Sequence, residues 1–432
     1  MLKKLVAELQ PGGRLSSMSS TANIEKTIQS TDVTELAPMM SGENIVCFAK
    51  DWNGDPTSVT HVMRQLALSN RVLWLNSIAT RTPDLSNSAD LSKIVEKLKG
   101  FLKGPQKVSD SMWVYTPIVL PLPHNPIAIR INKWILRTAI GILRRKLKMQ
   151  DFQLWAWPPT AGEYVDVLGQ SFTVYYCADA WSSFSHVDGR QMERLDTHLC
   201  RRADVVFATG HALAEERRLL NPETHLATHG VPYKQFAAAL EPNLPAPTDL
   251  ADCPQPIIGF YGLIEDWMDQ DLVTYLAERH PEWTIALVGK ICVDVSRLEK
   301  HTNIRLLGRK PHSDLPAYCK QFAVGVLPHR INDLTRHMNP IKLREYLCAG
   351  LPIVSTALPE VQMYGDLCSI ATSYAEFENA ISDAIGTDNL ESRRARSEQM
   401  KGESWEHKVN QLMTTVMRVR TQKRASHNIK ST

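Results

Sequence analysis

Asn339-Pro340-Ile341-Lys342-Leu343-Arg344-Glu345-Tyr346-Leu347-Cys348-Ala349-Gly350-Leu351-Pro352-Ile353-Val354-Ser355-Thr356 decides how the remaining residues of the 432-residue chain are read. Asn339 suits a helix N-cap, and Pro340 suits the first helical position, where its missing N–H costs nothing. Gly350 suits the left-handed residue that ends a helix, and Pro352 forbids continuation. The stretch therefore predicts a short helix from Pro340 to about Ala349, followed by a buried strand over Leu351 to Ser355. A capped helix feeding a strand of an α/β sheet offers free N–H groups and a positive dipole end, which suit a diphosphate. Lys342 in the first turn adds a full charge. Glu345 lies three residues on, on the same face, where a carboxylate can accept from two ribose hydroxyls. The alternative is that Lys342 and Glu345 form only a helix-surface ion pair.

Composition bounds the rest. Hydrophobic residues make up 43% and charged residues 22%, which indicates globular structure, and 432 residues suit two or three domains. A formal net charge of +3 gives no reason to expect nucleic acid. The eight cysteines (47, 177, 200, 253, 292, 319, 348 and 368) form no Cys-x-x-Cys pair and read as reduced core residues of a cytoplasmic protein. No run of eighteen apolar residues predicts a membrane span. The start of the chain turns polar too soon for a signal peptide, and residues 1–41 read as a flexible extension.

Two α/β blocks flank a proline-rich linker at 237–255. In the first block, 42–236, strands are predicted at 44–49, 71–76, 113–120, 152–157, 172–177 and 203–209. A helix is expected at 58–68, and 80–111 is too polar to assign. No Gly-x-Gly-x-x-Gly follows the first strand, which argues against NAD or FAD. The second block, 256–403, predicts strands at 256–262, 283–289, 304–308 and 322–327 and helices at 271–280 and 315–320. Gly262, Gly289 and Gly308 follow strands and would line the carboxyl edge of a parallel sheet, where open α/β sheets bind ligands, with Arg309 beside them. A last helix, 404–420, precedes a basic tail, 421–432, expected to be unstructured from Lys423.

Asn125-Pro126 opens another capped helix, to about Lys148. It carries seven basic residues and no acidic one, with Arg130, Lys133 and Arg137 on one stripe and Ile127, Ile131, Ile135 and Ile142 on an apolar side. Such a face suits anionic lipid; the alternative is a surface helix packed on its own domain.

The Glu345 stretch resembles the donor-site helix of GT-B glycosyltransferases, the glycosyl transferases group 1, family 4-like kind. In many of these, two glutamates stand eight apart, and the second, before an Ala-Gly-x-Pro-Val-Val turn, holds the nucleotide ribose. Here the first would fall at His337. The Asn-Pro-Ile-Lys-Leu-x-Glu-Tyr-Leu form looks like the teichuronic-acid-type branch and, more distantly, the xanthan glucuronosyltransferase. His229-Gly230-Val231-Pro232 resembles the segment closing the first domain. The resemblance implies two Rossmann-like domains facing each other across a cleft, with the last helix crossing back to the first domain. It implies a donor, UDP-sugar by preference, bound by Gly262, Gly289, Arg309, His337, Asn339, Lys342 and Glu345. The loop after the first strand of the second block, 263–269, lacks the Arg and Lys that many relatives use on the diphosphate, which leaves the phosphates to Lys342 and the helix start.

In Tyr175-Tyr176-Cys177-Ala178-Asp179, Asp179 matches an aspartate of the glucuronosyltransferase segment with the role of base. A carboxylate there can take the acceptor hydroxyl's proton; the alternative is a helix N-cap or loop aspartate. His186, His211 and His229 are lesser candidates. Asp179 argues for inversion, while the Glu345 stretch occurs in retaining and inverting enzymes alike. No Asp-x-Asp motif stands at a strand end, so neither an essential metal nor a cofactor is expected. The expected function is sugar transfer to a saccharide or lipid-linked saccharide of the bacterial envelope or an exopolysaccharide, on the cytoplasmic face of the inner membrane. The alternatives are a nucleotide-sugar epimerase and a non-catalytic nucleotide-sugar-binding protein.

Overall fold

The apolar runs separated by polar turns form two parallel sheets, one in each half of the chain. The computed structural model describes residues 40–78, 82–84, 86–184 and 187–431. The expected extension before residue 40 and His186 lie outside them. The first half contributes β1 (Asn44–Phe48), β2 (Arg71–Leu75), β3 (Gln106–Ser109), β4 (Met112–Tyr115), β5 (Gln153–Ala156), β6 (Phe172–Cys177), β7 (Val205–Ala208) and β8 (Thr224–Leu226). They lie in the order β3-β4-β2-β1-β5-β6-β7-β8, and β3 is antiparallel to its neighbour. The second half contributes β9 (Ile257–Tyr261), β10 (Thr284–Val288), β11 (Ile304–Gly308), β12 (Val324–Leu327), β13 (Ile353–Thr356) and β14 (Ser369–Ala371). Their order is β11-β10-β9-β12-β13-β14, with every pair parallel.

Both orders reverse direction at the first strand of the half, β1 and β9. That reversal is the topological switch point at which doubly wound sheets bind ligands beyond the strand carboxyl ends. Apart from the partly buried Asn44, the central strands are buried because helices cover both faces, so they read as continuous apolar runs rather than as alternating ones.

The region 80–111, left unassigned from sequence, contains a helix at Ser88–Leu102 and the edge strand β3. The linker is not a free tether. Leu250 is buried, Asp249 pairs with Lys310 at 2.7 Å, and Lys320 donates to the carbonyls of Glu241, Pro242 and Leu244. All eight cysteines are free, but Cys253 is only partly buried and Cys292 is exposed, so the core reading holds for the other six.

The last helix runs from Trp405 to Ser431, well past the expected end at 420, and takes in the tail expected to be unstructured. Its Trp405, Val409, Leu412, Met413, Val416 and Val419 recur at helical spacing and join the core of the first half. Arg420 pairs with Asp151 at 3.1 Å, and Lys423 with Asp204 at 2.6 Å, so the basic end of the helix is held by carboxylates of the first half. The last helix therefore packs on the first half of the chain.

Candidate active site at the domain cleft

The decisive helix forms at Ile341–Cys348, and Gly350 adopts φ of 78° as its terminating residue. Asn339 does not cap it. Pro340 occupies the cap position and the helix start has no side-chain cap. The Asn339 side chain is committed elsewhere: its amide donates to Thr209 O at 2.7 Å and to Glu360 Oε2 at 3.2 Å, while its Oδ1 accepts from Arg344 at 2.6 Å. Thr209 lies just past β7 in the first half, so Asn339 is a bond across the cleft.

The first-turn Lys342 reaches over the backbone of the β9 loop. A Cβ on Gly262 would meet Lys342 Cε at 3.7 Å, and a Cβ on Gly289 would overlap Gly262 O at 1.6 Å. Only glycine at 289 lets the two strand-end loops approach that closely. Lys342 Nζ stands 5.7 Å from the Tyr261 ring centroid and 3.8 Å from Glu345 Oε2. The helix start, Gly262, Gly289 and Lys342 thus form one surface at the switch point.

Glu345 departs from the simple surface pair. It is buried, accepting from Tyr261 Oη at 3.0 Å and His312 Nε2 at 2.9 Å. Gln235 donates to His312 Nδ1 at 3.1 Å, which leaves the proton on Nε2, facing the carboxylate. Burial alone would push the Glu345 carboxyl up; Lys342 and the His312 and Tyr261 donors more than offset it and hold it below the ordinary glutamate range. A carboxylate oxygen has two lone pairs, so ribose hydroxyls would add to donors already present rather than find a free group.

The other expected ligands stand at the rim. Arg309 pairs with Asp55, from the loop after β1, at 2.6 and 3.1 Å. His337 pairs with Glu216 of the first half at 2.9 Å and contacts Asp333 O at 2.7 Å, so its ring is engaged with the opposite domain. His211 contacts Glu360 Oε2 at 3.2 Å across the same boundary. His229 is buried against Ser58 Oγ at 2.8 Å, and burial lowers it to about 3.

Asp179 follows β6 and is neither a cap nor a paired loop residue. The 3-10 turn after it spans Trp181–Ser183 with Ala180 at the cap position, and Asp188 caps the Gly189–Arg202 helix. Its carboxylate has no hydrogen-bond or ion-pair partner among the described residues, and burial raises it to about 6. Thr209 Oγ1 donates to the carbonyl of Ala178 at 2.7 Å, next to Asp179.

Sequence reasoning missed His61, His312, His329 and Asp55. His61 stacks on Trp405 at 5.1 Å and faces His312 at 6.3 Å; burial, then the neighbouring His312, lowers it to about 4. His329, at the end of β12, is buried with Nδ1 unpaired; burial and the nearby Lys342 lower it to about 4. The strand ends before His329 and His312 were legible as loops, and a polar ring just past a strand carboxyl end was the available signal.

The surface that holds Lys342, Glu345 and the two glycines lies wholly inside residues 256–386, which match the glycosyl transferases group 1 family. Those residues form a glycosyl transferases group 1 domain. The fold of the chain is GT-B. Sucrose-phosphate synthase from Thermosynechococcus elongatus superposes with a TM-score of 0.63 at 16% identity, covering 88% of this chain and 100% of that one. The trehalose-6-phosphate protein from E. coli bound with UDP-2-fluoro glucose superposes at 0.59 and 12% identity, covering 87% and 99%. In sequence, TuaH of Bacillus subtilis (strain 168), assigned to teichuronic acid biosynthesis as a glycosyltransferase, is 26% identical over 202 residues. That match spans 43% of this chain and half of the relative's length, 50%. Asp179 and the basic helix lie outside the domain of the family match.

Proposed function

We propose that the chain transfers a sugar from a nucleoside diphosphate sugar to an acceptor hydroxyl. The observation that carries this is the placement of Lys342, at a helix start directly over the Gly262 backbone, with Glu345 behind it at the switch point of the second sheet. UDP is the preferred nucleotide, since a fold neighbour carries UDP-2-fluoro glucose. The proton of the acceptor O–H passes to the Asp179 carboxylate as the oxygen bonds to the anomeric carbon. The bond from that carbon to the diphosphate breaks, and the electron pair leaves with the diphosphate. Lys342 and the first-turn N–H groups face the charge that develops there, where fixed donors are worth most. Arg309 and His337 would close over the donor from the rim. No comparison favours the epimerase or the non-catalytic binder.

The acceptor in this reading is a lipid-linked saccharide of envelope or exopolysaccharide synthesis, in keeping with the teichuronic acid relative. No helix among the described residues is long and apolar enough to cross a membrane. Peripheral contact would come from the helix Pro126–Lys146, whose Ile127 and Trp134 are 70% and 69% exposed beside Arg130, Lys133 and Arg137. Exposed apolar groups flanked by cations suit an anionic bilayer surface.

The test is calorimetry with UDP and UDP-sugars, followed by mass spectrometry of the donor incubated with and without membrane-extracted lipid acceptor. Donor binding with acceptor-dependent UDP release is expected. Conversion of the sugar without acceptor, or no binding of any nucleoside diphosphate, refutes the reading.

A further inference from the structure

A groove of about 650 Å³ opens on the first half, away from the donor helix. Each wall comes from the loop or the first turns of the helix that follow a parallel strand. The residues after β4 supply Pro123, Ile129, Arg130 and Lys133; the turn after β5 supplies Glu163; the helix after β6 supplies Arg190 and Arg194. The groove therefore sits on the edge of the first sheet that faces the cleft, the edge that also carries Asp179.

Its charge is one-sided. Four cations, Arg130, Lys133, Arg190 and Arg194, stand against one carboxylate, Glu163. Glu163 is shared by Arg194 and, at 3.8 Å, by Lys133, while His124 at the groove edge lies 4.0 Å from Asp188. Arg130 and Arg190 have no carboxylate partner among the described residues. Gln191 Oε1, at the groove floor, is buried without a donor, so a ligand hydroxyl there would be bonded.

The apolar side continues from the charged one. At 3.6 residues per turn, Ile129, Lys133 and Arg130 succeed one another around the helix and are followed by Trp134, Ile127 and Ile131. Those last three are exposed by 69%, 70% and 41%. A ligand with its anionic group in the groove would lay an apolar chain along that ridge.

The geometry points to this groove as the seat of the acceptor's phosphate: it binds the diphosphate headgroup of a lipid-borne acceptor, with the lipid chain on Trp134, Ile127 and Ile131. This rests on the transfer reading above and adds the acceptor's chemical class. The cations match a diphosphate's charge, and the adjoining ridge favours a lipid source over a soluble phosphate.

Farnesyl diphosphate, farnesol and inorganic diphosphate are the probes, titrated by calorimetry into the full-length protein. Farnesyl diphosphate should bind more tightly than either fragment, because each fragment satisfies one half of the site. Arg130→Ala and Arg190→Ala should each weaken it about fivefold, the effect of one surface charge on an anionic lipid group. Arg190→Lys should restore most of the loss. Lys342→Ala should leave it unchanged, which separates this groove from the donor site. Three results overturn the inference: unchanged affinity in both alanine variants, loss that follows Lys342 instead, or inorganic diphosphate binding as tightly as farnesyl diphosphate. UDP titration of the same proteins reads the donor site independently. If UDP fails to bind while the groove variants lose farnesyl diphosphate, the transfer reading falls and the lipid-diphosphate site stands.

Discussion

Replacing Asp179 by asparagine should make the protein slower and more stable at once. The carboxyl is raised from 3.8 to about 6 by burial without a partner. That rise corresponds to about 3 kcal/mol by which the site disfavours the ionised form. The sign follows from proton linkage. Between about pH 4 and pH 6 the folded protein holds a proton that the unfolded chain has released, so this residue's contribution to stability falls as pH rises and is fully unfavourable above 6. Asparagine cannot ionise and escapes that penalty. The variant should therefore melt higher than wild type at pH 7.5, by up to about 3 kcal/mol less whatever its amide loses unpaired, and the difference should vanish near pH 4. In the catalytic role proposed above, the same burial would make Asp179 a stronger base, still about nine-tenths ionised at pH 7. Its loss should lower kcat by about 10²–10⁴-fold with UDP affinity unchanged, because the lost interaction exists only in the transition state. Wild-type kcat should rise through pH 6 to a plateau, and the product should have inverted configuration at the transferred sugar. The assays are melting curves at the two pH values, a transfer assay with its pH profile, and NMR of the product's anomeric proton. A lower melting temperature at pH 7.5, an unchanged kcat, or retained configuration would refute the assignment of Asp179 as base.

Four further expectations follow from other parts of the fold. Lys342→Ala should weaken UDP binding about tenfold while leaving uridine binding unchanged, since only the diphosphate faces the ammonium; calorimetry with both ligands checks this. Glu345→Ala leaves the buried His312 and Tyr261 donors without their acceptor, so UDP affinity and thermal stability should fall together, each unpaired donor costing about 1–3 kcal/mol. Reversing Arg130, Lys133 and Arg137 to Glu should release the protein from anionic vesicles, and wild-type binding should weaken as salt rises; equal sedimentation of both proteins contradicts the membrane reading. His61, His229 and His329 are lowered to about 4, 3 and 4, so between pH 6.5 and 4 the unfolded chain binds protons that the folded one refuses. Stability should fall in that window, with Asp179 offsetting about one of the three protons, and denaturant midpoints at pH 7, 5.5 and 4.5 measure it.

How much of this was legible in the sequence depended on whether the cause was local. The helix at Ile341–Cys348, its Gly350 terminus, the Asn125 cap and the central strands follow from signals a few residues apart, and all are present. The edge strand β3 escaped because Gln106–Ser109 is exposed throughout and has no apolar face to declare it. The Asn339 cap failed for a different reason: its side chain had better partners 130 residues earlier in the chain, at Thr209. Glu345 was placed on a helix face correctly, but its burial depended on Tyr261 and His312, neither of them local. The Asp55–Arg309 pair spans 254 residues and left no trace in either loop's composition.

Those distant bonds bear on how the site works. Thr209 serves three partners. Its N–H donates to Cys177 O at 3.2 Å, its hydroxyl donates to Ala178 O at 2.7 Å, and its carbonyl accepts from Asn339. The first two fix the backbone that delivers Asp179. The third fixes Asn339, which Arg344 in turn holds from inside the donor helix. Arg344 also reaches Tyr364 Oη at 2.7 Å and Glu403 at 3.3 Å, the latter beside the start of the long returning helix. Asp179, the helix at Ile341–Cys348 and the interdomain crossing are therefore joined by a short run of hydrogen bonds through one threonine and one asparagine. Any opening of the cleft would have to break the Asn339–Thr209 bond, and closing would bring Asp179 and the Lys342 helix back into register in the same step. Under the transfer reading proposed above, a sugar would be transferred only when both halves are in contact, which would limit the donor's exposure to water.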